Sequence, residues 1–161
     1  MKPRSTDPFP DAVAGFVASV WLGMIVGVSF LATLAKFQAA SLDPAVAVEV
    51  GRRTFAVFTK VEWGLATLLG IAVFFPRAPR AEIVFTAITV AIVAVQALWL
   101  LPVLDLRVEA LISGRPMPSS PHHMLYAVLE AGKVLTLAAV ALVALFRLGW
   151  RDKPAIDGDN Q

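Results

Sequence analysis

The sequence predicts an all-α integral membrane protein, a single four-helix bundle built from two antiparallel up-down hairpins. Three observations predict it. Of 161 residues, 58% are hydrophobic and only 16% charged, and the mean hydropathy is +0.73. Soluble domains run at roughly 45–50% apolar and about 25% charged, and one of this size buries only about 70% of its chain surface. The surplus apolar surface must face lipid. Second, four apolar runs reach the ~20 residues that cross a hydrocarbon core of about 30 Å. Third, prolines and capping residues between the runs turn the chain back on itself.

The first span, 12–35, follows the breaker-rich Asp7-Pro8-Phe9-Pro10-Asp11. It exceeds the roughly 7–15 apolar residues of a cleavable signal peptide and reads as an uncleaved anchor. Gly15, Ser19, Gly23 and Gly27 place a small residue at every fourth position along it. Such ridges let membrane helices approach closely and gain van der Waals contact. This one is expected to pack span one inside its own bundle; the alternative is a seam to a second copy or to another membrane protein. Before the second span, 54–75, Asp43 is placed to cap a helix with Pro44 at its first position. The stretch from Pro44 to Arg53 is expected to lie at the interface.

Pro76-Arg77-Ala78-Pro79-Arg80 is a tight turn that forces a hairpin into span three, 83–104. The loop from Gly114 to Pro121 is rigid and polar, and Ser120 caps span four, 122–148. Residues 1–150 thus form one domain, and the polar tail 151–161 is expected to be disordered.

Cysteine is absent, which excludes disulfides, iron–sulfur clusters, thiolate zinc sites and cysteine nucleophiles. A net charge of +2 with no basic run interleaved with aromatics argues against nucleic acid as a partner. An even number of spans puts both termini on one side, with Lys2, Arg4, Arg77, Arg80, Arg147, Arg151 and Lys153. Lys36, Arg52, Arg53, Arg107 and Arg115 fall on the other. The positive-inside rule then leans both termini towards the cytoplasm of a bacterial inner membrane.

The embedded ionisable groups carry the functional signal, because each costs about 2.5–3.5 kcal/mol at a helix centre. Glu130 and Lys133 lie about 13 and 18 Å along span four from Pro121. Three residues apart, they meet on one face, and His123 and Tyr126 extend the same stripe towards the loop. A mutually neutralising pair that merely fixes packing is the bland reading. Desolvation offsets most of the attraction in such a pair, so an apolar pair would serve packing as well, and a site is preferred. Glu62 needs a partner, either Lys133 or a group on span three. Lys60, nearer the interface, can snorkel. Gln96 shares one face of span three with Thr86 and Thr89. The expected polar pocket comprises Glu62, Gln96, Tyr126, Glu130 and Lys133. Trp21, Trp63, Trp99 and Trp150 read as interfacial anchors, with Trp63 and Trp99 as alternative cavity-lining residues.

Met117, His122, His123 and Met124 cluster at the third loop, and imidazole with thioether suits copper. His122 and His123 are therefore the candidate metal ligands. Both belong to one helix turn and cannot sandwich a haem iron. A five-coordinate haem, or a histidine–lysine pairing, stays open. Ser120 and His122 lack an orienting acid and oxyanion donors for nucleophilic catalysis.

Four stretches carry a family resemblance. Trp21-Leu22-Gly23-Met24, followed by Phe30 and Phe37, resembles the first helix of the transmembrane-protein-205-like family (domain of unknown function 4149). Gly51-Arg52-Arg53-Thr54-Phe55 resembles the start of its second helix. The run from Leu98 through Pro102 and Asp105 to Arg107 resembles the exit of its third, and His122-His123-Met124-Leu125-Tyr126 the opening of its fourth. The chain departs from the pattern at His123, often glycine there, and at Glu130 and Lys133, usually milder polar residues. The resemblance implies a fold and no mechanism. The layout is distantly similar to copper-resistance D-type membrane domains and to four-helix protoporphyrinogen oxidases, whose first-helix haem histidine span one lacks.

The function expected from these residues is a non-enzymatic module that binds or passes a small solute or metal ion through the polar pocket. The alternatives are a haem- or quinone-linked oxidoreductase using Lys133 and Glu130 for proton transfer, and an accessory subunit packed through the small-residue ridge.

Overall fold

The helices outrun the apolar stretches that announce them, because a helix continues until something stops it. The computed structural model describes residues 8–74, 78–115 and 118–151. The tail from 152 onward, Pro76 and Met117 lie outside the described residues. Four helices follow in order: α1 (Phe9–Gln38), α2 (Pro44–Phe74), α3 (Arg80–Ile112) and α4 (His122–Arg151). All four are long and apolar enough to cross a membrane. The protein is a multi-pass, all-α membrane bundle.

Their ends follow from local chemistry. The Asp43 carboxylate accepts the Ala45 N–H at 2.8 Å, so α2 starts at Pro44. It runs unbroken through Gly51 into the apolar segment. The helix expected over 44–53 runs into span two without a break. At the end of α3, Gly114 adopts φ 68°, which lets the Arg115 N–H return to the Ala110 carbonyl at 2.9 Å. That left-handed closure suits glycine. Ser120 accepts the His122 N–H at 3.3 Å, capping α4 as its position implies.

Two helices widen into π turns, at Val26–Ala32 in α1 and Gln96–Leu100 in α3. The second has a cause in Pro102, which supplies no N–H and crowds the carbonyl four residues back. A wider turn ahead of it relieves that clash.

Within the bundle α1 and α3 each contact both α2 and α4, and the α1–α4 seam is the most extensive. Buried positions recur in alternating steps of four and three. On α4 the run is Tyr126, Glu130, Lys133, Leu137, Val140 and Ala144, with Ala141 beside it; on α3 it is Glu82, Thr86, Thr89, Val93, Gln96 and Leu100, with Ala110 further along. This 3.5-residue period is that of left-handed helix packing. The exterior carries Phe16, Leu98, Leu135 and Phe146. Large apolar groups face outward and the polar ones are enclosed.

The small-residue ridge behaves differently along its length. A Cβ on Gly15 would lie 3.4 Å from Ala144 Cβ, whereas Gly23 and Gly27 have nothing within 4 Å of that position. Ser19 and Gly23 are exposed. Packing inside the bundle, expected of the whole ridge, is made at Gly15 alone. The four-residue spacing drifts off the buried face, which follows the 3.5-residue seam.

Candidate functional site

One charged residue from α2 and two from α4 meet in the bundle core. Lys133 Nζ lies 2.5 Å from Glu62 Oε1 and 2.8 Å from Glu130 Oε1. Lys133 is 0% exposed, and both carboxylates are buried. The three-residue spacing of Glu130 and Lys133 places both on the inward face of α4, as the sequence implies. Glu62 projects from the buried face of α2 to meet them.

Neighbouring helices complete the cluster. The α1 indole Trp21 Nε1 donates to Glu62 Oε1 at 3.1 Å. From α3, Gln96 Nε2 donates to Glu130 Oε1 at 3.1 Å and towards the Tyr126 carbonyl at 3.4 Å. Gln96 opens the π stretch of α3, so the widened turn sits where α3 offers its amide to the carboxylate. The structure thereby brings together Glu62, Gln96, Tyr126, Glu130 and Lys133.

Gln96 Oε1 stays unmatched among the described residues, while the Tyr126 hydroxyl and the Glu130 carboxylate face each other. Two carboxylates share one ammonium, so the ionised cluster carries one negative charge in excess. A buried net charge is costly. The arrangement therefore suits a positive species supplied from outside the side chains.

Tyr126 links this core to a cavity of about 290 Å³ at the end of the bundle away from the chain termini. Its ring packs edge-on against Phe55 with centroids 5.3 Å apart. Lys36, Phe37, Arg52 and His123 contribute to the walls. The cavity forms a vestibule with Tyr126 at its boundary with the buried cluster.

A second set of charges ties the opposite end. Arg147 Nη1 reaches Asp11 Oδ1 at 2.8 Å and Glu82 Oε1 at 3.5 Å, joining α4, α1 and α3. Thr86, one turn deeper than Glu82, is fully buried, and its hydroxyl has no partner among the described residues. Further in, the Thr89 and Thr136 hydroxyls meet at 2.7 Å.

Thr86→Val replaces an unmatched hydroxyl with a methyl of similar shape, removing a desolvation cost. We expect the stability, read from the thermal unfolding midpoint in detergent, to hold or rise by up to about 1 kcal/mol. A clear fall would reveal a structural partner for that hydroxyl.

The tryptophans divide differently from expectation. Trp21 is 0% exposed inside the cluster, while Trp63 and Trp99 are 38% and 51% exposed on the outside. Neither of the latter lines the core. Their helical phase sets them off the buried stripe. Lys60 is exposed, in keeping with a snorkelling role.

The histidines do not converge. His122 Nδ1 is hydrogen-bonded to the Ser120 hydroxyl, and its ring packs against Trp99. His123 borders the vestibule, and Met124 is 70% exposed. Adjacent helical positions diverge by about 100°. Among the described residues no group of three or more His, Cys, Asp or Glu is placed to hold a metal. His122 opens α4 bonded to its cap Ser120, and His123 lies at the vestibule.

Trp21, Asp11, Glu82 and Arg147 are the site residues that local sequence reading misses. Arg147 lies on the continuation of the Tyr126–Glu130–Lys133 stripe through Leu137, Val140 and Ala144, a signal present in the spacing. Trp21 sits about 18 Å into α1 from Phe9, too deep for an interfacial belt.

No family model, curated protein or solved structure matches the sequence.

Proposed function

We propose that the protein is a non-catalytic membrane module that binds and passes a small positively charged species, a proton or a compact cation, at Glu62, Glu130 and Lys133. The observation that supports this reading is the buried ratio of two carboxylates to one ammonium, with an unmatched amide oxygen at Gln96. The vestibule bounded by Tyr126 offers the approach from one side. The same reading locates the bundle in a bacterial inner membrane, both termini cytoplasmic, on the balance of Lys and Arg between its ends. It keeps the fold of the transmembrane-protein-205-like family as the expected kinship.

Trp21 is a built-in reporter, because its indole donates to Glu62. In protein with Trp63, Trp99 and Trp150 replaced by Phe, Trp21 emission should shift on titration with acid or with an alkali-metal chloride. Glu130→Gln leaves one carboxylate for one ammonium, a balanced pair. It should abolish the shift while the helical circular dichroism and melting profile stay intact. Emission that ignores both titrants, or an unaltered response in Glu130→Gln, would remove the binding reading.

A second reading, an accessory subunit, draws on the outward-facing Ser19 and Gly23, which leave a groove on α1 available to another membrane helix.

A further inference from the structure

The buried cluster is one station on a line of polar groups that runs the length of the bundle interior. At the terminal end stand Arg147, Asp11 and Glu82. Along the inner face of α3 follow Thr86 and Thr89, the latter joined to Thr136 of α4 at 2.7 Å. One turn further along α4 comes Lys133 with Glu62 and Glu130. Gln96 and Tyr126 close the line at the vestibule. Tyr126 to Arg147 spans roughly 32 Å of α4, which matches a hydrocarbon core of about 30 Å. The line is as long as the membrane is thick.

The unmatched atoms fall along it. Glu82 Oε2, Thr86 Oγ1 and Gln96 Oε1 are buried without a partner among the described residues, and the Tyr126 hydroxyl faces the Glu130 carboxylate. Buried polar groups ordinarily find partners, and internal water is the usual one where side chains do not serve. Polar positions on α3 are three to seven residues apart, steps of about 4.5–10.5 Å. One or two waters bridge gaps of that size. For packing alone, valine at 86 would serve better than threonine.

We propose that this line is a proton route across the membrane, and that the species handled by the Glu62–Glu130–Lys133 cluster is the proton. The inference rests on the binding reading above and extends it. A proton passes from the O–H of a carboxylic acid or a water to a lone pair on the next oxygen. At each step one O–H bond breaks and another forms, with water as the only co-reactant and no change of oxidation state. Carboxylates at the terminal end and in the central cluster hold the proton between steps, while the threonine hydroxyls and waters carry it between them. At the mouth, Lys36 and Arg52 form no ion pair among the described residues. They border the vestibule together with Asp105 and His123. The groups that face the route come from all four helices: Asp11 from α1, Glu62 from α2, Glu82 from α3, and Tyr126, Glu130, Lys133 and Arg147 from α4.

The test uses full-length protein in phosphatidylethanolamine–phosphatidylglycerol vesicles loaded with a pH-sensitive dye. A pH step is applied, with potassium and valinomycin to compensate charge. Wild-type vesicles should equilibrate faster than empty ones. Glu130→Gln should lower the protein-dependent rate about ten-fold or more. Thr86→Val should lower it similarly while keeping the Trp21 response of the cluster, and Thr86→Ser, which retains the hydroxyl, should restore the rate. Wild-type vesicles no faster than empty ones would overturn the route, as would a rate indifferent to Thr86→Val. If the Trp21 response persists in either case, the binding reading survives and only the route fails. Loss of the Trp21 response in wild type removes both.

Discussion

Lys133→Met should be the most damaging single change in the core. The ammonium lies 2.5 Å and 2.8 Å from two carboxylates that have no other cation beside them among the described residues. Methionine fills a similar volume, so packing is largely kept and the loss is electrostatic. Two carboxylates would then be left in the interior with only the Trp21 and Gln96 donors. Removing one partner of a buried ion pair costs roughly 3–5 kcal/mol, and this ammonium serves two. We expect a sharply lowered unfolding midpoint in detergent, or no folded protein. Adding Glu62→Gln and Glu130→Gln to Lys133→Met should restore most of the midpoint, because neutral amides tolerate the interior far better than unpaired carboxylates. The check is the midpoint by circular dichroism for the single and triple variants. A single variant that melts with wild type would show that the cluster does not depend on its cation.

That comparison also separates structure from function. A fully neutral triple variant that is as stable as wild type would mean that the charges are not kept for folding. An apolar or neutral replacement of a buried ionic cluster is often no less stable than the original. Retention of two carboxylates and an ammonium in a place that costs so much to occupy then points to their use.

Legibility in the sequence differs between fold and site for physical reasons. Hydropathy marks the lipid-facing length of each helix, and four runs of the right length leave few architectures open. It does not mark where helices end. α2 begins ten residues ahead of its apolar run because Asp43 and Pro44 decide the start, while Arg52 and Arg53 merely lower the local hydropathy. Within the site, Glu130, Lys133 and Tyr126 are legible because helical spacing puts them on one face. Glu62 and Gln96 stand out by the cost of leaving such groups alone in lipid. The partners that come from other helices are harder to see. Asp11 reads locally as part of a proline-rich helix start and Glu82 as the edge of a turn. Only the closing of the bundle brings them to Arg147. Trp21 is hidden by a general expectation, that tryptophan in a membrane chain sits at the interface, which its depth in α1 contradicts.

Gly15→Leu should be the second large loss, and its comparison with Gly23→Leu isolates the reason. A Cβ at position 15 already sits 3.4 Å from Ala144 Cβ and 3.6 Å from Leu145, ordinary contact with nothing to spare. The extra carbons of leucine must push α1 from α4 along the most extensive seam in the bundle. Forcing such volume into a closed interface costs about 1–3 kcal/mol. It also moves Asp11, one turn away, from Arg147. Trp21 lies further along the same helix, so its bond to Glu62 should lengthen and its emission should change. Gly23→Leu meets open space and gains helix propensity, so the isolated protein should melt at or above the wild-type temperature. Melting curves of the two variants in detergent decide this. Equal losses at both positions would mean that the outer face of α1 is also packed, by a second copy or another helix. A loss at 15 alone, joined to disrupted co-purification for Gly23→Leu, would assign the inner half of the ridge to the bundle and the outer half to a partner.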